Sequence, residues 1–234
     1  MCLSRWRITG IVAAGLLLLS ALTVRAGKNA DGALIVHTDN TVTYTATGDY
    51  CGVDLRMPGS CEDAVARSNK NSKTPAVIWI LAAFPEESDP AVAGIQFGVE
   101  HNLPQGQEGV VAYQACGESP LELPDDGFPG TPGGTLVAYG EPVSGSTLFP
   151  VCWVAAYGSL GDSLRTAEYP GSGHSYFADD SVPAVEDEIT NFGILRWQSD
   201  GMNDCPGGPS LDGAEWQDDP QGTGTTGTIK AVTE

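Results

Sequence analysis

The 234-residue chain carries 30 Asp and Glu against 11 Lys and Arg, a formal net charge of −19. That balance excludes the clustered cations a nucleic-acid surface needs and makes an anionic membrane face a poor partner; it favours solubility and attracts cations. Apolar residues make up 41%, enough for a core, and Gly 30 with Pro 16 is high without reaching low-complexity composition.

Met1–Arg7 is short and basic, with Arg5 and Arg7, and Ile8–Val24 is an apolar run rich in Leu and Ala. Val24-Arg25-Ala26 closes it with residues a leader-removing peptidase accepts. This is the three-part pattern of a secretory signal peptide, so residues 1–26 are predicted to be removed after Ala26. The run is short for a membrane anchor, and no later stretch approaches spanning length. The expected product is exported to the periplasm, cell surface or medium, with no integral membrane span. Losing Arg5, Arg7 and Arg25 leaves eight cations against 30 acids, a charge of −22.

Strand-like segments then follow one another with little helical periodicity. ALIVHT (33–38) and TVTYTAT (41–47) flank Asp39-Asn40, which predicts a hairpin. SCEDAVARS (60–68) predicts a short helix capped by Ser60. PAVIWILAAF (75–84) is a continuous apolar run, expected as a central strand buried on both faces and paired with AVAGIQFGVE (91–100). Segments 109–115, 134–140, 147–158, 173–178 and 192–198 continue the series, and Pro183–Ile189 suggests a single helical turn. Many short strands, Gly/Pro turns and no βαβ alternation predict an all-β domain over 27–205, an antiparallel β-sandwich or jelly-roll-like fold with one or two helical turns. Residues 206–234, rich in Gly, Pro and Thr, read as a flexible acidic tail whose last residues regain a weak strand pattern.

Without Cys2, five cysteines remain. In an oxidising compartment pairing is the default. Cys51 and Cys61 flank one Gly/Pro-bearing loop and form the natural local pair, leaving Cys116 with Cys205. Cys152 sits in the apolar run LFPVCWVAAYG and reads as a buried thiol.

The segments AGKNADGALIVHTDN, VIWILAAFP and DEITNFGILRW resemble a group of exported bacterial proteins of no known activity, and TTGTIKAVTE resembles a C-terminal segment shared by otherwise different exported proteins. The resemblance implies export, with a part for that last segment in sorting or surface attachment. It carries over no catalytic residue.

Nucleophile-elbow, zincin, EF-hand and phosphate-loop motifs are all missing. His37, His101 and His174 fall at no ligand-motif spacing, so a metal site from them needs long-range assembly. The densest chemistry lies in Tyr176–Trp197, where Asp179, Asp180, Glu186, Asp187 and Glu188 fall within ten residues. On a strand, Asp187 and Glu188 point to opposite faces while Glu186 and Glu188 share one. Such a pair is the minimum a glycosidase needs, and Tyr176, Phe177 and Trp197 are the aromatic residues near it. Calcium is the other chemistry weighed: Asp179 and Asp180 on one turn, and Asp200 and Asp204 on another, supply hard oxygen ligands. The expected function is a non-catalytic binding or surface-associated module for an extracellular ligand, with Trp153 or Trp216 as a candidate aromatic platform. The alternatives are a glycosidase-like hydrolase using paired carboxylates and a calcium-stabilised adhesion-type domain.

Overall fold

The computed structural model describes residues 27–52, 57–104 and 109–207. The expected signal peptide and nearly all of the expected tail, Trp216 included, lie outside them. Among the described residues there is no helix, and hence none able to cross a membrane.

Thirteen strands run β1 (Ala33–Thr38), β2 (Arg67–Ser68), β3 (Ala76–Ala83), β4 (Ala91–His101), β5 (Val110–Ala115), β6 (Leu121–Pro124), β7 (Gly133–Ser144), β8 (Leu148–Ala156), β9 (Ser163–Ala167), β10 (Tyr176–Ala178), β11 (Glu186–Glu188), β12 (Asn191–Trp197) and β13 (Met202–Asn203). The hydrogen-bonded order is β11-β10-β4-β9-β12-β1-β3-β8-β5, with β7 on the other side of β4, β6 on β7, and β2 and β13 on β12. The fold is all-β and sandwich-like, as expected from sequence. The sheet is mixed rather than antiparallel, because β12 runs parallel to both β1 and β2.

Strand β3 shows why the chain folds this way. Its period of two sends Ala76, Ile78, Ile80 and Ala82 into the main core and Val77, Trp79, Leu81 and Ala83 into a second one. The main core lies between the β1-β3-β8-β5 layer and the β4-containing layer, where Ile95, Phe97, Val137, Leu164, Phe177, Leu195 and Trp197 face inward. The second core lies on the far side of β1, β3 and β8. The segment around Val42, Tyr44, Tyr50, Met57, Cys61 and Ala64 covers it. Two apolar faces therefore give a strand with no polar position, as the sequence predicted for 75–84. An extra residue in β8, Val151, shifts its register against β3 between Ile80 and Leu81, so Val151 and Cys152 both face the main core.

Five departures from expectation follow, and the cover bears on those at 41–47, at 60–68 and at the cysteines. Residues 41–47 form no strand, since β1 already has β3 on one edge. Its other edge is taken by β12 at Leu34, by the Asn203 side chain at Val36 and by the Val65 carbonyl at Thr38. Residues 60–68 form a turn leading into β2, and 183–189 contain β11, which pairs with β10. Strand β3 pairs with β1 and β8, whereas β4 pairs with β7, β9 and β10. The disulfides are Cys51–Cys116 and Cys61–Cys205, not the local pairing, and Cys152 is free and buried. A bridge between 51 and 61 would close a loop on itself; the observed bridges fasten the cover to the ends of β5 and β13. Two disulfides are compatible with an exported protein.

Candidate ligand-binding face

The acidic stretch divides according to strand geometry. In β11 the pattern is exposed, buried, exposed, so Glu186 and Glu188 share the outer face and Asp187 points in. Phe177 and Trp197 are fully buried core residues, leaving Tyr176 as the aromatic side chain of that trio on the surface.

Register then assembles the outer face. Glu188 lies opposite Tyr176, Tyr176 opposite Gln96, Gln96 opposite Leu136, and Leu136 opposite Leu123. One row of outward side chains thus crosses five strands, acidic and aromatic at one end and apolar at the other. In the adjacent row Leu121 stands over Ala138. Leu121 and Leu123 are 59% and 55% exposed on β6, whose outer edge carries no strand among the described residues.

The polar half is pre-set. Gln96 donates through Nε2 to the His174 carbonyl at 2.9 Å and to Ser172 Oγ at 3.3 Å. The His174 ring lies 5.7 Å from the Tyr176 ring, and its Nδ1 lies 3.8 Å from a Glu188 carboxylate oxygen. Burial, with the Glu186 charge adding to it, pushes the Tyr176 phenol up, so it stays a neutral donor. Tyr169 lies across Gly134, where any side chain would strike its ring, and its hydroxyl is tied to Asp125.

A cleft of about 370 Å³ lies beside the Cys51–Cys116 bridge, away from this face, and is lined by Asp49, Gln114, Gly117, Pro120 and Glu122. Asp49 Oδ1 accepts the Cys51 N–H at 2.9 Å. Burial pushes the Glu122 carboxyl up, opposed by a 3.2 Å hydrogen bond from Thr135. Neither acid stood out in the sequence. Glu122 is the inward residue of LELP, whose leucines face out, so the pattern misleads.

The four expected calcium ligands fall in two loops. Asp179, buried, accepts from Ser181 N at 3.0 Å, Ser181 Oγ and Val185 N at 2.8 Å, all at one oxygen, and closes the β10–β11 turn. Asp180 pairs with Lys28 at 2.7 Å. Asp200 pairs with Arg67 at 3.0 Å in the β12–β13 connection, and Asp204, on the far side of β13, is buried. Strands β4 and β9 separate β10 from β12, and among the described residues no three His, Cys, Asp or Glu side chains converge on a metal-sized site.

The three histidines are likewise dispersed. His37 accepts the Val65 N–H, His101 meets the Pro129 carbonyl, and His174 joins the outer face. Trp153 is buried in the second core against Tyr50, so it is no surface platform. No protein-family model, curated protein or solved structure matches the chain.

Proposed function

We propose that the protein is an exported, non-catalytic binding module that presents the outer face of the β11-β10-β4-β7-β6 layer to a polyhydroxylic ligand of the polysaccharide type. The observation that carries the reading is the row Glu188–Tyr176–Gln96–Leu136–Leu123. An exposed sheet face that mixes an amphipathic ring, an amide fixed by its neighbours and apolar side chains suits a flat ligand with hydroxyl edges and C–H faces. The ring takes the C–H face while Gln96, His174 and Glu188 bond hydroxyls. Glu186 and Glu188 share this face as a catalytic pair would. The Glu188 side chain, however, is 64% exposed, an open position unlike the enclosed one a glycosidase carboxyl occupies. The test is a binding titration with soluble oligosaccharides and retention on insoluble polysaccharides. Tyr176→Ala and Gln96→Ala are expected to weaken binding at least tenfold with the fold unchanged, and unaltered binding overturns the reading.

A hydrolase centred on the cleft beside Cys51–Cys116 is the second reading, favoured by two carboxylates, Asp49 and Glu122, among its lining, with the Glu122 carboxyl raised toward the protonated form a general acid needs. Turnover of any glycoside that Glu122→Gln abolishes would establish it over the binding reading.

A further inference from the structure

The first described residues end on the acidic stretch. The Gly27 nitrogen donates to Asp187 Oδ1 at 2.7 Å, and the Asn29 N–H donates to Oδ2 at 3.0 Å. Asp187 is buried, as is Asn29, whose side-chain amide clasps Ala91 in both directions, at 2.9 Å to the N–H and 3.2 Å to the carbonyl. Lys28 is bound to Asp180. A Cβ at position 27 would land on the Asp187 carboxylate, which two N–H groups hold in place, so only glycine brings its nitrogen this close. Among the described residues the hydrogen bonds to this carboxylate come from two neutral amides; burying a carboxylate on such partners is costly, and a cation at one of its oxygens offsets that cost.

We infer that Gly27 is the mature N-terminus and that its α-ammonium forms a part-buried ion pair with Asp187, so that removal of the leader completes the folded state. The inference rests on the export reading. Hydrolysis of the Ala26–Gly27 bond by a leader-removing peptidase consumes one water and leaves a carboxylate on Ala26. At Gly27 the single amide N–H becomes an ammonium with three, one of which stays on Oδ1. The neighbourhood favours this charge: Asp179, Asp180, Glu186 and Glu188 flank the site, and Lys28 is engaged with Asp180.

The first measurement is the intact mass of the product exported from the full-length chain, expected to begin at Gly27. The second compares unfolding of Gly27–Glu234, released from a cleavable fusion, with the same chain retaining Ala26. The extra residue is expected to raise the unfolding equilibrium constant about ten- to a hundredfold, the worth of a charge-assisted bond. In the Asp187→Asn background the same extension should change it less than about twofold. Should Asp187→Asn fail to fold, acylation of the α-amine decides: it should run at least about tenfold slower in the native Gly27 protein than in the unfolded chain. Equal effects of the extension in both backgrounds, or equal acylation rates, overturn the pairing. An exported product beginning elsewhere overturns it while leaving export intact; a chain that is never exported removes both readings.

Discussion

The side-chain amide of Asn203 pairs with the backbone of Val36 in both directions, accepting its N–H at 2.9 Å and donating to its carbonyl at 2.9 Å. A side chain thereby supplies what a neighbouring strand would supply to β1. Gly193 makes room for it, since a Cβ there would collide with Asn203 Oδ1 and the Val36 nitrogen. Asn203→Ala leaves a donor and an acceptor of a buried strand without partners and is expected to cost about 3 kcal/mol. Asn203→Asp keeps the acceptor but sets a charge against the Val36 carbonyl, and should cost at least as much. Urea unfolding checks both; a loss below about 0.5 kcal/mol for Asn203→Ala would show the pair to be dispensable.

Peptide mapping of the unreduced protein is expected to recover Cys51 linked to Cys116 and Cys61 to Cys205. The bridges span 65 and 144 residues of sequence, loops for which chain-entropy arguments give about 4 and about 5 kcal/mol respectively. The Cys61→Ser/Cys205→Ser double variant should therefore lose stability on that order. A recovered 51–61 peptide would contradict the architecture of the cover.

Asp179 gives acid unfolding a specific contributor. Burial pushes its carboxyl up, but hydrogen bonds from the Ser181 hydroxyl, the Val185 N–H and the Ser181 N–H, with the Lys28 charge, outweigh this and hold it below the usual aspartate range. A carboxyl held low in the folded state stabilises fully above its unfolded pKa of about 3.9, and that contribution is lost as pH falls through the lower folded value. Asp179→Asn should cost about 1 kcal/mol at pH 7, because neutral bonds replace charge-assisted ones. The gap to the parent should narrow as pH falls below the unfolded pKa of about 3.9. A gap constant with pH would mean the charge is idle.

Thermal unfolding of the Gly27–Glu234 chain in EDTA and in calcium at extracellular concentration is expected to give the same Tm. Asp179 spends one oxygen on three bonds of its own turn, and Asp180 and Asp200 have cationic partners. A rise of several degrees would mean that the folded state binds the ion selectively and that one of these loops rearranges to hold it.

Burial, with the Glu122 charge adding to it, pushes the Cys152 thiol far up, and its side chain faces the main core. It should resist alkylation in the native protein from pH 7 to 9 and react at once in denaturant. Mass spectrometry of iodoacetamide-treated protein reads this directly. Rapid native labelling would place the thiol at the surface.

Much of the architecture was legible because burial writes itself into composition. VIWILAA could only be a strand with apolar surroundings on both sides, and β4, β5, β7, β8 and β12 announced themselves by β-branched and aromatic residues. TVTYTAT misled because alternation reports one dry side, and Val42 and Tyr44 have one without belonging to a sheet. SLRTA, β9, went unread: Leu164 and Thr166 are buried, but the Thr166 hydroxyl earns its place by bonding the Leu34 carbonyl at 2.7 Å, a long-range fact. Cysteine partners were illegible for the same reason, since proximity in sequence says nothing about what fastens a cover. The acidic stretch had the right facing for Glu186, Asp187 and Glu188; what Asp187 meets, a glycine 160 residues away, is set by tertiary structure.

The bridge between Cys61 and Cys205 sets an order on closure for a chain that folds as it emerges. A chain delivered N-terminus first exposes Cys51 and Cys61 early, and Cys116 follows well before Cys205. For as long as Cys205 is still to emerge, Cys61 faces three other thiols and none is its final mate. Strand β1 waits equally long, because β12 and Asn203 lie at the trailing end of the domain. Contacts this distant in sequence make for slow, late closure, with β1 and β3 exposing apolar surface meanwhile. On the export reading, the yield of folded protein should follow the supply of a disulfide-shuffling catalyst more closely than the rate of synthesis.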